Sequence, residues 1–429
     1  MTALRRLGAG IAATAALLLP ASAAVLLPAT TAAAAPIADP EEAAAYGAGW
    51  LLDRLNDDGF VPKPDASPDY GATVAVGFGL ASAGVGEDAF DAIVERVQAN
   101  VDAYVKDGGT DRPGALGKLA MLFHAAGEPN DALLDRILAT DTGSNPALFA
   151  DPGYNGLFNH SLALLGLATG EGYTAEEQAD IQEALDLLVA QQCPNGGWQN
   201  DLRATVEGVL APCGTSFSGP DTNTTAVVAQ ALAAWDEEPE VDPLDYSEAV
   251  QNDDGGFGYV GGSDTDANST AQSIQGILAA GGDPGQALGA LLRLQLTCAA
   301  APADRGAWAY QPEDDGSLEA NAFATLDAVP AAAGATFPLD VVEFGPDDAT
   351  MPCAAARPSN TVTPRPSQVV QPRPAPPTVA PRAVETLPDT GSNLEKPWDA
   401  TGLAVFGGGL LGYGLLALAG ARFAGRRAG

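Results

Sequence analysis

The chain has 429 residues, a formal net charge of −35 at neutral pH, and hydrophobic residues at 46% of its positions. The acidity is concentrated in residues 37–355, which hold 51 of the 55 acidic and 10 of the 20 basic residues, a net charge of −41. Nucleic acid is excluded as a partner, because binding a phosphate backbone requires clustered Lys and Arg. A segment of this length is enough for one large domain with its own core, and its charge predicts a solvated, self-repelling surface.

The amino end has the pattern of an export signal. Arg5 and Arg6 precede a stretch rich in Ala and Leu, and the small residues at 32–35 provide a cleavage site. A basic start, an apolar centre and a small-residue end are the three parts of a secretory signal peptide. Residues 1–35 are therefore predicted to be a signal peptide, and residues 37–355 the exported domain.

An Ala-rich helix ending recurs along the domain. It is found at Gly84, Gly127, Gly170, Trp235, Gly281 and near Ala331. The intervals are 43, 43, 65, 46 and about 50 residues, the range expected for two helices with their connections. Each unit combines an outer helix, a glycine turn with an aromatic residue, and an apolar inner helix. Six such units predict an all-α domain of twelve helices.

The turns between the helices carry a second repeated pattern. It is present in the segments Gln192-Cys-Pro-Asn-Gly-Gly-Trp198 and Gln251-Asn-Asp-Asp-Gly-Gly-Phe257, and around an insertion in Gln295 and Gly306-Ala-Trp308. These turns resemble the Q-x-x-x-G-x-W/F repeat of squalene-hopene cyclases and related prenyltransferase-type toroids. The resemblance covers about residues 41–330 and implies an (α/α)6 toroid of six helix pairs around a central cavity. Glycine permits the left-handed turn, the aromatic side chain plugs the gap between helix pairs, and Gln ties its amide to adjacent helix ends.

Four cysteines in an exported protein indicate two disulfides rather than a metal site. Cys193 and Cys213 flank the insertion that lengthens unit four, so we expect a bridge between them. Closing this loop of about 20 residues would contribute roughly 3 kcal/mol in the chain-entropy model. Cys298 and Cys353 would then pair by elimination, and the other two connectivities stay open. With two histidines and no Cys-x-x-Cys, neither a metal site nor a cofactor is expected.

One inner-helix start departs from the cyclase pattern. In the squalene-hopene cyclase group, the central Asp of an Asp-x-Asp-Asp-Thr motif protonates the substrate. The matching segment here is Asp221-Thr222-Asn223-Thr224-Thr225, with Asn223 in the place of the acid. An amide does not donate a strong-acid proton to an alkene, so proton-initiated cyclisation is disfavoured.

Polar residues recur where the inner helices begin. They are Asp69, Asp221, Asn223, Asp266, Asn268 and Asn321. Asp and Asn are preferred N-caps, and acidic groups complement the positive end of a helix, so capping is one interpretation. The other is a ligand site, because all inner helices of a toroid start at the same end. Convergent polar and aromatic side chains around one mouth of a cavity form a binding-site pattern, and Trp198, Trp308, Tyr154 and His160 would contribute to it.

His160 carries two interpretations of its own. With Asn159 and Tyr154 it would form an Asn/Tyr/His group suited to a polysaccharide lyase or hydrolase, a chemistry known on the same barrel. The alternative is a cap or core role, which is the commoner use of a lone His near a helix start.

The carboxyl end has the order of a surface-attachment signal. Residues 356–386 form a Pro-rich segment that in polyproline II geometry spans on the order of 90 Å, a predicted wall-spanning linker. The motif Leu387, Pro388, Asp389, Thr390 and Gly391 follows. Residues 400–421 are uncharged, about 33 Å long as a transmembrane helix, and a basic tail ends the chain within residues 387–429. The arrangement resembles a Gram-positive LPxTG sorting signal, in which a membrane transpeptidase of the sortase type cleaves between Thr and Gly and joins Thr to peptidoglycan. A permanent single-span anchor is the alternative.

These features together predict an exported protein attached covalently to a Gram-positive cell wall, in contact with the membrane only through its C-terminal segment before processing. Its expected partners are the transpeptidase, peptidoglycan and a small or lipid-like ligand. The resemblance extends to cobalamin carriers built on this barrel, so a corrinoid is one candidate. The leading function is a non-enzymatic binding or adhesion module. The alternative is an extracellular enzyme, either a polysaccharide lyase or glycoside hydrolase, or a divergent terpene cyclase.

Overall fold

A computed structural model describes residues 39–353, apart from 142, 144–147, 151–155, 207–208 and 346–348. The predicted signal peptide, Pro-rich linker, LPxTG motif and apolar segment at 400–421 lie outside the described residues. Among the residues that are described, no helix has the length and apolar character needed to cross a membrane.

The described chain is mainly α-helical. In order, the helices are α1 (Pro40–Leu52), α2 (Tyr70–Ala83), α3 (Glu87–Gln98), α4 (Val101–Val105), α5 (Pro113–Ala125), α6 (Asp131–Leu138), α7 (Leu157–Leu167), α8 (Ala175–Gln191), α9 (Thr222–Ala234), α10 (Pro243–Val250), α11 (Ala267–Ala279), α12 (Gly285–Arg293) and α13 (Ala322–Ala332). A short 3-10 turn covers Ser216–Ser218. The domain is therefore all-α, as predicted.

In the part of the chain that the structure describes, three small antiparallel strand pairs lie in the connections. They pair β1 (Val61–Pro62) with β2 (Pro68–Asp69), β3 (Lys106–Asp107) with β4 (Thr110–Asp111), and β5 (Thr205–Val206) with β6 (Val209–Leu210). Their registers place Val61 opposite Asp69, Lys106 opposite Asp111, and Thr205 opposite Leu210. The third hairpin belongs to the unit-four insertion.

Six helices form a closed inner ring. Each packs on the next in the order α2, α5, α7, α9, α11 and α13, and α13 packs back on α2. Helices α1, α3, α6, α8, α10 and α12 lie outside this ring and pack against inner helices. The six helix pairs predicted from the repeat are thus present as an (α/α)6 toroid, with α4 as a short additional helix.

The two classes of helix differ in how their side chains are buried. Outer helix α3 buries Phe90, Ile93, Val94 and Val97, a spacing that places them on one face of a helix. Inner helix α2 is buried from Gly71 to Ala81 on all sides, as expected for a helix enclosed by neighbours. The inner ring is therefore the core of the domain.

The glutamines of the repeated turns join neighbouring units. Gln192 Nε2 donates hydrogen bonds to Gly196 O at 2.9 Å in its own turn and to Val241 O at 2.6 Å before α10. Gln295 Nε2 likewise donates a hydrogen bond outside its own turn, to Ala43 O in α1, which connects the last unit to the first. The role predicted for Gln in tying helix ends together is confirmed at these positions.

Both predicted disulfides are present. Cys193 is bonded to Cys213 across the unit-four insertion, and Cys298 is bonded to Cys353. The second bridge ties the segment after α13 to the loop after α12. Two disulfides indicate a protein that functions outside the reducing cytoplasm.

Candidate functional site

Four of the six polar residues predicted at the inner-helix starts are N-caps. The side chains of Asp69, Asp221, Asp266 and Asn321 accept hydrogen bonds from the backbone N–H groups three residues later, at distances of 2.9, 2.7, 2.7 and 3.0 Å. The acceptors satisfy amide groups that lack a partner within the helix. The capping interpretation is confirmed for these four residues.

The turn of the following unit covers several of these helix starts. The first helical N–H of α9, that of Thr222, donates to Tyr259 O at 3.0 Å, and the first of α11, that of Ala267, donates to Tyr310 O at 2.9 Å. Leu157 at the start of α7 makes the same bond to Asn200 O at 2.8 Å. The acceptor in each case lies two residues after the repeated aromatic position. Neighbouring units are therefore joined by one recurring backbone hydrogen bond.

All three capping carboxyl groups at the inner-helix starts are buried, and two of them have a strongly shifted pKa. Asp221 and Asp266 are 1% and 2% exposed. Burial raises the pKa of each to about 7, against the opposing effect of hydrogen bonds from the helix start and from the hydroxyls of Tyr259 and Tyr310. Each carboxyl therefore exchanges between its neutral and charged forms near neutral pH. The sequence did not identify these two tyrosines, although their shared position after the aromatic residue was a usable signal.

The repeated tryptophans are buried between helices. Trp198 and Trp308 are both 0% exposed. Their indole N–H groups donate to Leu188 O at 2.7 Å and to Leu291 O at 3.0 Å. The side chains occupy the gaps between helix pairs, in the stabilising role predicted from the repeat, and contact with a ligand stays a prediction.

Asn223 and Asn268 lie in the first turns of α9 and α11. Asn223, in the place of the cyclase acid, is 0% exposed. Asn268 Nδ2 donates a hydrogen bond to Asp327 Oδ2 at 2.6 Å, which joins α11 to α13. Asp327 is a buried acidic residue of the inner ring that the sequence did not single out, because no motif surrounds it.

A small chamber lies among the inner helices α2, α5 and α13. It is lined by Val74, Ala75, Phe78, Lys118, Leu326, Asp327 and Pro330. Its volume is about 10 Å³, which is close to the minimum that holds one water molecule. The resemblance implied a central cavity able to take a ligand. This chamber, formed by side chains of three inner helices, is far smaller than such a cavity.

His160 is part of the core. It is 0% exposed, its Nδ1 accepts a hydrogen bond from Phe149 N at 3.1 Å, and its Nε2 lies 3.1 Å from Ala184 O. Because Nδ1 accepts, Nε2 carries the proton and donates to Ala184. Burial lowers the pKa of His160 to about 4, so the ring is neutral near pH 7. Tyr154, its predicted neighbour, lies outside the described residues.

The geometry therefore separates the predicted site residues rather than gathering them. Asp221 and Asp266 are each enclosed by their own tyrosine, the two tryptophans lie between helix pairs, and His160 contacts α8. In the described part of the chain, no three His, Cys, Asp or Glu side chains are grouped as metal ligands.

No protein-family model matches the chain, and no curated protein matches its sequence. Among solved structures, the chain is similar to the type II terpene cyclase MstE from Scytonema, with 15% identity over 68% of this chain and 97% of that one, at a TM-score of 0.47. It is also similar to the alpha-1,6-mannanase GH76A of Salegentibacter sp. HEL1_6, with 10% identity over 69% and 98% at 0.48, and to the ent-copalyl diphosphate synthase from Streptomyces platensis, with 18% identity over 62% and 50% at 0.41. Since these TM-scores are below 0.5, the toroid assignment rests on the closed ring of helices itself.

Proposed function

We propose that this chain is a surface protein, attached to the cell wall through Thr390, whose toroid is a non-enzymatic binding or adhesion module. The attachment is supported by the order of the LPxTG motif, the 22 uncharged residues from 400 to 421 and the basic tail. The two disulfides of the domain agree with a location outside the cytoplasm.

One observation carries the non-enzymatic part of the proposal. The chamber on the toroid axis has a volume of about 10 Å³, whereas pockets for small organic ligands typically measure about 300–1,000 Å³. A polyprenyl chain or a corrinoid does not fit a chamber of this volume. Binding is therefore assigned to the outer surface of the closed toroid, or to a form in which the axis is opened.

The chemistry of the buried residues supports the same proposal. A cyclase requires a carboxylic acid held against the substrate alkene, and Asn223 stands in its place. Asp221 is occupied as the cap of α9 and is 1% exposed. A lyase or hydrolase would need His160 to reach a substrate, and both of its ring nitrogens are engaged with the backbone of the core.

An activity assay on the exported protein tests the proposal. The protein is incubated separately with squalene, a C20 polyprenyl diphosphate and a soluble alpha-1,6-mannan, and products are followed by mass spectrometry and by the release of reducing ends. We expect no cyclic terpene and no shortened polysaccharide. A cyclic product that disappears in Asp221→Ala, or mannan cleavage, would overturn the non-enzymatic assignment.

A further inference from the structure

The segment after α13 crosses one end of the inner ring. We call residues 335–345 the strap. It makes hydrogen bonds with residues at or near the carboxyl ends of four inner helices. These bonds are Phe337 N to Gln230 Oε1 at 2.9 Å, Gln275 Nε2 to Ala335 O at 3.2 Å, Val342 N to Ala125 O at 3.0 Å, and Gly345 N to Gly84 O at 2.8 Å. The strap therefore contacts α9, α11, α5 and α2 directly after leaving α13.

Phe337 is the part of the strap that packs against a residue lining the chamber. Its side chain is 3% exposed, and its ring packs edge-on against Phe78, with ring centroids 4.9 Å apart. Phe78 is one of the residues that line the axial chamber. The strap thus places an aromatic side chain against one wall residue of the chamber, and the side chains of two glutamines bond to the strap backbone beside it.

Below the strap lies a buried amide that the protein does not satisfy. Gln272 is 0% exposed, and neither its Nε2 nor its Oε1 has a hydrogen-bond partner. Leaving a buried donor and acceptor unpaired is strongly unfavourable, and native proteins resolve it with a bound water or ligand.

Gln272 occupies the same position in its helix as two residues that line the chamber. It lies six residues after the cap Asp266 of α11. Lys118 lies six residues after the cap of α5, and Asp327 six after the cap of α13. Both of those residues line the axial chamber. Equivalent positions in packed repeats share an orientation, so Gln272 belongs to the same layer of the ring.

We propose that the layer around Gln272 is a binding site for a small polar molecule that both donates and accepts hydrogen bonds, and that the strap is its gate. In the closed form the site takes a water molecule, because the chamber that Lys118 and Asp327 of this layer line has only about 10 Å³. Displacing Phe337 enlarges this space and admits larger amides or carboxylic acids, which can form two hydrogen bonds with the Gln272 side chain. This inference deepens the proposed binding role, on which it rests, by locating the site and its entrance.

Thiol labelling tests whether the strap controls access. The native cysteines are paired in two disulfides, so Gln272→Cys introduces the reactive thiol. Its thiolate takes the thiomethyl group of methyl methanethiosulfonate, and methanesulfinate leaves. The control is Leu188→Cys on outer helix α8, which is also 0% exposed. The measured quantity is the ratio of the labelling rate at position 272 to that at position 188.

Two changes loosen the strap. Phe337→Ala removes the aromatic cover, and Gln230→Leu combined with Gln275→Leu removes both side-chain bonds while keeping Phe337. We expect each change to raise the ratio by about tenfold or more. The labelling rate follows the population of locally opened protein, and a modest change in the free energy of opening changes that population about tenfold. If Phe337→Ala does not fold, the double glutamine variant decides alone. An unchanged ratio, or a parent protein that already labels rapidly at position 272, would overturn the proposal. The experiment needs neither a wall nor a ligand, so its failure is distinguishable from failure of wall attachment or of the non-enzymatic assignment.

Discussion

Gln295 Nε2 donates a hydrogen bond to Ala43 O at 2.8 Å, although the two residues are 252 positions apart. The same amide nitrogen donates to Gly306 O at 3.0 Å in its own turn. One side chain therefore fixes the last turn of the repeat and attaches it to the first outer helix. In a ring of six inner helices, this contact contributes to closure between the chain's first and last units.

Gln295→Ala is expected to destabilise the domain by about 3 kcal/mol, because it leaves two carbonyl groups without this buried donor. The matched control is Gln251→Ala. Gln251 is partly exposed, and its amide donates to Gly255 O at 2.8 Å within one turn, so about 1 kcal/mol is expected. Urea unfolding followed by circular dichroism measures both. Equal losses in the two variants would contradict the closing role of Gln295.

Gly117→Ala is expected to destabilise the domain by about 3 kcal/mol, near the upper end of the cost of overpacking. A Cβ atom on Gly117 would lie 2.0 Å from Leu162 O, and one on Gly166 would lie 2.4 Å from Gly117 Cα. Backbone atoms at these distances do not yield as a flexible side chain does, so α5 and α7 would be pushed apart.

Gly289→Ala is the control for this substitution. Gly289 lies inside α12, and the nearest atom to an added Cβ is Arg293 Nη1 at 3.9 Å. Replacing a helical Gly with Ala at an open position should stabilise the domain by about 0.5–1 kcal/mol. A loss of stability in Gly289→Ala, or no loss in Gly117→Ala by urea unfolding, would refute the steric explanation.

The buried caps Asp221 and Asp266 should make stability depend on pH. Their folded-state pKa values are raised to about 7, whereas an unfolded Asp titrates near about 3.9. Between these values the folded state binds more protons, so their contribution to the free energy of unfolding falls as pH rises from 4 to 7. The pKa of His160 is lowered to about 4, below the value of 6.5 for an ordinary His. Its contribution to the free energy of unfolding is therefore lost as pH falls from about 6.5 to 4, which is opposite to the effect of the two Asp residues.

A comparison of variants separates these two effects. Asp221→Asn combined with Asp266→Asn keeps a capping oxygen at each position and removes both ionisations. The difference in unfolding free energy between variant and parent should therefore shift in favour of the variant as pH increases from 4 to 8. Urea unfolding at one-unit pH intervals measures it. A difference that is constant across this range would show that the two carboxyl groups do not titrate in the predicted window.

Thr390 is expected to become the wall-linked carboxyl end of the mature protein. Mass spectrometry of muralytic digests should find a peptide that ends at Thr390 and carries a peptidoglycan fragment. Thr390→Ala should leave the protein in the membrane fraction, because the motif that the transpeptidase cleaves would no longer be intact. Wall-associated protein that still contains residues 400–421 would defeat this prediction.

Local patterns were sufficient to predict the repeat and its caps. A period near 45 residues and recurring Gln, Gly and aromatic positions indicated six helix pairs, and the six inner helices of the ring with their outer partners match them. The caps at Asp221 and Asp266 could be predicted from sequence because each side chain accepts a hydrogen bond from an N–H group only three residues away. The pairing of Cys193 with Cys213 was readable because the two residues flank one insertion.

Only the tertiary structure decided what surrounds those caps and what fills the axis. Tyr259 reaches Asp221, Asp327 reaches Asn268, and Phe337 reaches Phe78. Each pair joins residues far apart in the chain that contact only after the ring closes, and no short motif encodes such contacts. The volume of the axial chamber depends in the same way on side chains from several helices. The sequence by itself therefore determined the repeating architecture, which is built from local periodicity, whereas packing between distant residues decided what surrounds the caps and how small the chamber between α2, α5 and α13 is.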